Sequence, residues 1–133
     1  MGALPNFLAV ILAAVASFVV GWAWYSKLGF GKQWMEETGI TEEKAKQTDL
    51  KILFGGAFAL NFLAALVMAL YLKANQSLIA AVAFGFAVGS CWVATSFGVN
   101  YLFEGKSLRL FFINAGYVVV QFTVMGLVLG LFL

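Results

Sequence analysis

The chain contains no histidine, and its only cysteine is Cys91. One thiol cannot close an intrachain disulfide, and no ligand spacing for zinc, haem or an iron–sulfur cluster can be assembled. Cys91 itself is best read as a small apolar filler. Charge is scarce too: 11% of the residues are charged, where a soluble domain has about a quarter. With 63% hydrophobic residues and a mean hydropathy of +0.97, the sequence lacks the polar surface that water requires. The net charge of +2 is too small and too scattered to attract nucleic acid. No cofactor and no metal are expected.

The charge that is present is confined. All eight basic and six acidic residues lie between, or at the edges of, four apolar runs at about 4–25, 52–72, 78–103 and 110–133. A hydrocarbon core about 30 Å thick takes about 20 helical residues, and each run suffices. Strands of a membrane barrel would be about 10 residues long and alternating, which these are not. The expected fold is all-α: one transmembrane domain over 1–133, with four helices in an antiparallel bundle. The first run has a signal-peptide look, with Ala14-Val15-Ala16 before a cut. No Lys or Arg precedes it, however, and the apolar run continues to Trp24, so a retained span is expected.

Orientation follows from the cations. Lys27, Lys32, Lys44, Lys46 and Lys51 fall in the first connection, Lys106 and Arg109 in the third, and Lys73 alone in the second. The positive-inside rule then places connections 26–51 and 104–109 in the cytoplasm and both termini outside, in a bacterial inner membrane.

The first connection is the long one. Phe30, Trp34 and Met35 are spaced to share one face of a short helix at about 30–38, expected to lie in the headgroup layer. Gly39 is a natural stop. Thr41 before Glu42 and Glu43 reads as the cap of a helix running on into the second span. Trp22, Trp24 and Tyr25 end the first span, where aromatic rings favour the interface. Lys27 and Lys32 meet an anionic lipid surface, and Gly31 lets the chain turn. Together these residues form a candidate interfacial motif with membrane lipids as its partner.

Apolar side chains gain little from one another in lipid, so small residues that allow close approach carry helix packing. The first span has Ala9, Ala13, Ser17 and Gly21 at every fourth position; the third has Gly85 and Gly89, and the fourth Gly126 and Gly130. Gly55 with Ala59, and Ala65 with Ala69, repeat the spacing in the second. A bundle this thin favours a homo-oligomer, with Gly126 and Gly130 as a candidate seam between subunits.

Polar residues at membrane depth are costly and so informative. Asn114, Tyr117 and Gln121 share a face of the fourth span. Trp92, Ser96 and Asn100 share a face of the third, read by helical period as the side of Gly85 and Gly89; Asn61 is the second span's contribution. Either these groups hydrogen-bond across helices, at about 0.6–2 kcal/mol each, or they line a hydrated path. No Asp, Glu, Lys, Arg or His lies within a span. Proton coupling of the small multidrug exporter type is therefore disfavoured. No set of catalytic side chains is present either, and no enzyme is expected. The leading expectation is a small passive channel or transporter-like protein. The alternatives are an accessory or scaffold protein, or a lipid-binding protein using a groove beside Trp22, Trp24 and Trp34.

The pattern Gly21-x-x-Trp24-Tyr25-Ser26, Phe30-Gly31-Lys32, Trp34-Met35 and Thr38-Gly39, with the late Asn114-Ala115-Gly116-Tyr117, resembles the signature of a known family. Its members are small bacterial four-helix membrane proteins, catalogued as domain of unknown function 1761. The resemblance spans nearly the whole chain; it implies the four-helix fold and carries no activity. A fainter echo joins Gly21-x-x-Trp24 before Gly31-Lys32 to Gly98-x-x-Tyr101 before Gly105-Lys106. Such halves, two spans each, would run parallel.

Overall fold

Four polar side chains start the four long helices. A helix start leaves backbone N–H groups without partners. In the computed structural model, which describes residues 4–72 and 74–133, each start is capped. The Asn6 Oδ1 accepts from the Ala9 N–H at 3.2 Å, and Asp49 Oδ1 from Lys51 and Ile52 at 3.0 and 3.4 Å. Ser77 and Ser107 accept from Ala80 and Leu110, both at 3.1 Å. A cap contributes about 1 kcal/mol. Lys73, the cation assigned to the second connection, lies outside the described residues.

The caps open α1 (Phe7–Trp24), α4 (Leu50–Tyr71), α5 (Leu78–Ala87) and α7 (Leu108–Gly130). Two short helices, α2 (Gly31–Thr38) and α3 (Glu42–Lys46), fill the first connection. A π turn at Val88–Val93 joins α5 to α6 (Ala94–Glu104), so the third span is one helix over Leu78–Glu104. The chain is helical, with no strand among the described residues, and four of its helices are long and apolar enough to cross a membrane. The expected run-on of α3 into the second span does not occur: Asp49 caps a fresh helix three residues after Lys46.

The fourth span is central. Helix α7 packs on α1, α5, the π turn and α6, while α4 rests mainly on α1. Glycine makes the α5–α7 crossing possible. A Cβ on Gly85 would fall on the Phe122 carbonyl oxygen, and one on Gly126 on that of Ala81; at Gly89 it would stand 2.8 Å from the Val118 oxygen. Numbers rise along one helix as they fall along the other. Gly126 and Gly130 are thus buried against Ala81 and Leu78 of the same chain, which removes them as a seam between subunits. Ala9, Ala13 and Ser17 are buried along α1, where Ala9 and Ala13 join Ala65, Met68, Met125 and Leu129 in the core. Gly55 and Ala59 depart from the small-residue expectation: both are exposed, and nothing lies within 4 Å of a Cβ built on Gly55.

The π turn changes which residues face inward. The buried face of the third span steps by four through Ala81, Gly85 and Gly89, then by five to Ala94, and continues through Phe97, Gly98 and Tyr101. An unbroken α-helix would have continued through Ser96 and Asn100. One extra residue turns everything downstream by about 100°. Trp92, Ser96 and Asn100 consequently face outward, a correction to the face read from periodicity.

Candidate functional site

Two sequence motifs that lie about ninety residues apart meet at the end of the first span. Gly21 lies under Tyr117, where an added Cβ would stand 3.1 Å from the hydroxyl. Gly116 makes room for the Trp24 ring, whose nearest atom would be 2.8 Å from a Cβ there. The Trp24 Nε1 donates to the Ile113 carbonyl at 2.9 Å, tying α1 to α7. Tyr25 donates its hydroxyl to Asn114 Oδ1 at 2.6 Å, and Asn114 Nδ2 donates to the Tyr101 hydroxyl oxygen at 2.6 Å. Ala115, between them, is buried with Ala94 and Val118. Every residue of Asn114-Ala115-Gly116-Tyr117 therefore has a steric or hydrogen-bonding reason to be what it is.

The ring stack continues into the first connection. Tyr25 packs edge-on against Tyr117 and Trp34, at centroid distances of 5.3 and 5.8 Å, and Trp24 lies 5.0 Å from Phe30. The chain reverses tightly after the span: Phe30 N–H donates to the Trp24 carbonyl at 2.6 Å, and the Gly31 N–H to that of Ser26 at 3.1 Å. A Cβ on Gly29 or Gly31 would fall on backbone carbonyls of residues 23–26, so the reversal needs glycine. Just past the first span, burial together with Tyr117 and Tyr101 raises Tyr25 well above the ordinary tyrosine range, keeping its hydroxyl a donor.

Beyond this junction an ionic clamp fastens α2 to the start of α7. Arg109 reaches Glu36 at 3.3 Å and Glu37 at 3.9 Å, and the Ser107 hydroxyl, which also caps α7, donates to Glu37. Seventy residues separate Glu37 from Ser107, and no local spacing signals the pairing. Lys27 is exposed and 4.0 Å from Glu42. Lys32 and Trp22 are exposed.

The residues expected to form one polar seam divide into three groups. Asn114 and Tyr117 belong to the junction. Gln121, buried, donates its amide to Asn61 Oδ1 and links the second span to the fourth. Ser96 and Asn100 face outward with Thr95 and Val99, lining a shallow recess of about 420 Å³. At the far end of the bundle a cleft of about 380 Å³ is lined by Pro5, Asn6, Ala69, Leu72, Leu129 and Phe132, among others. Among the described residues, no three His, Cys, Asp or Glu side chains cluster so as to hold a metal ion.

Residues 8–130 match the family described as "Protein of unknown function (DUF1761)". The chain belongs to the DUF1761 family. No curated protein and no solved structure matches it. The match runs over all four spans, so the junction of Trp24, Tyr25 and Asn114–Tyr117 lies wholly inside the DUF1761 region.

Proposed function

We propose that this DUF1761 protein is an accessory membrane protein that acts by contact with other membrane components, and not by passing a solute through its own helices. The reading is supported by the pairing of three of the four amide side chains within the spans, all but the outward-facing Asn100. Gln121 is spent on Asn61, and both ends of the Asn114 carboxamide are spent on Tyr25 and Tyr101. Polar groups satisfied by one another in this way fix helix register and leave little to coordinate a passing solute. In this reading the four spans form an antiparallel bundle in a bacterial inner membrane. Both termini lie outside, α2 lies in the cytoplasmic headgroup layer, and lipids meet Trp22, Lys27 and Lys32. The protein has no enzymatic activity.

Proteoliposomes decide between contact and conduction. Purified protein is expected to add no ion or small-solute flux. Flux that falls on replacing Asn61, Asn114 or Gln121 by leucine would sink the proposal. A second reading is favoured by the outward recess at Thr95, Ser96, Val99 and Asn100: a channel or transporter-like path running between copies of a homo-oligomer. Its mark would be flux sensitive to Asn100→Leu and insensitive to Gln121→Leu.

A further inference from the structure

The third span has one face too many for a fixed helix. Gly85, upstream of the π turn, and Gly89, at its start, hold the backbone against α7 so closely that a Cβ would strike its carbonyls. Downstream, Ala94, Phe97, Gly98 and Tyr101 face the bundle, while Ser96 and Asn100, the residues that regular periodicity would turn inward, face out. The difference is the one residue stored in Val88–Val93.

We propose that the π turn is a register switch: its extra residue can migrate to the turn at Gly105, rotating Ala94–Glu104 by about 100° and exchanging Tyr101 for Asn100 against the fourth span. Three observations carry this, and none depends on the function proposed above. The upstream half is pinned by backbone contact, so rotation is confined to the downstream half. That half ends at Gly105, exposed and left-handed at φ 69°, in a short turn that can absorb a residue. The carbonyls around the π turn are held by hydroxyls: Ser90 donates to Phe86 at 2.6 Å, Thr95 to Cys91 at 2.7 Å, and Ser96 to Trp92 at 2.7 Å. Each is a bond to the residue four earlier, which a regular helix also permits, so neither register leaves these donors empty.

Asn114 is the element read by both registers. It now donates to Tyr101, while the side chain of the neighbouring Asn100 faces outward. Rotation by one residue brings the Asn100 carboxamide to Asn114 and breaks the Tyr25–Asn114–Tyr101 chain at its last link. The register of the third span is thereby coupled to the junction with the first.

Cysteine cross-linking in membranes tests the switch, in the full chain carrying Cys91→Ser. Gly98 faces Phe111, where an added Cβ would lie 3.1 Å from the ring, so Gly98→Cys with Phe111→Cys reports the observed register. In the rotated register residue 96 takes the place of Phe97, which packs on the same cluster as Phe111, so Ser96→Cys with Phe111→Cys reports that register. Thr95→Cys with Phe111→Cys is the control off the inward face in both. A minor state populated at about 0.1–10% is expected to let the Ser96 pair bridge measurably slower than the Gly98 pair and well above the Thr95 pair. Bridging of the Ser96 pair no faster than the control overturns the switch. Should a variant fail to fold, NMR of the unsubstituted protein in nanodiscs decides. Exchange or doubled signals confined to residues 94–104 support it, and a single sharp set across the third span refutes it.

Discussion

The second and fourth spans are nearly equal in length, at 22 and 23 residues, and the second is the more apolar, with a hydropathy of 2.2 against 1.8. Burial runs the other way: 44% of the fourth span's most apolar stretch is buried and only 11% of the second's. Apolarity decides what enters the membrane, where lipid is as good a neighbour as leucine. What decides the centre of the bundle is the ability to come close and to hydrogen-bond. Helix α7 offers Gly116, Gly126, Asn114 and Gln121, each engaged by another helix. Helix α4 has glycines as well, but Gly55 and Gly56 meet nothing, and its polar tie to the centre is Asn61.

Substitutions can break or sharpen this contrast. The largest effect is expected from Gly85→Val, whose side chain must displace the Phe122 backbone; a loss of about 3 kcal/mol, the upper end for overpacking, is expected in detergent unfolding followed by circular dichroism. Gly55→Val should change stability by no more than about 0.5 kcal/mol, and equal losses at the two glycines would erase the distinction between central and peripheral spans. Next comes Gln121→Leu, which strands Asn61 and should cost about 0.6–2 kcal/mol. Combined with Asn61→Leu it should cost less than the sum of the two single changes, as a direct pair requires. A smaller loss belongs to Arg109→Ala. Its pairs with Glu36 and Glu37 are partly exposed, so at most about 1 kcal/mol is expected, fading with added salt. Release of α2 should be visible as faster amide exchange at residues 31–38 with the spans unchanged.

Much of the fold was legible in the residues. Four charge-free runs predict four helices, and the structure holds four that are long and apolar enough to cross a membrane. Thr41 and Gly39 also mark real ends: Thr41 caps α3, and Gly39 closes α2 at φ 74°. The site was legible in its parts and not in its assembly. Trp24, Tyr25 and Asn114–Tyr117 stand out as motifs, but an aromatic at a span end has a sufficient reason in the lipid interface, and nothing local says that Trp24 will find Ile113. The clamp of Arg109 on Glu36 and Glu37 was illegible for the same cause, since opposite charges in separate connections carry no spacing.

The sequence by itself determined that this chain is helical, that four of its segments are apolar enough to span a membrane, and that it belongs to DUF1761. Those properties depend on composition and near-neighbour spacing, which the chain carries before it folds. Only the tertiary structure decided which span sits at the centre and which way the third span's polar residues point. The reason is one residue. Gly89 and Ala94 both pack inward five positions apart, through a π turn that packs on the fourth span, and contact with a distant helix is not written in near-neighbour spacing.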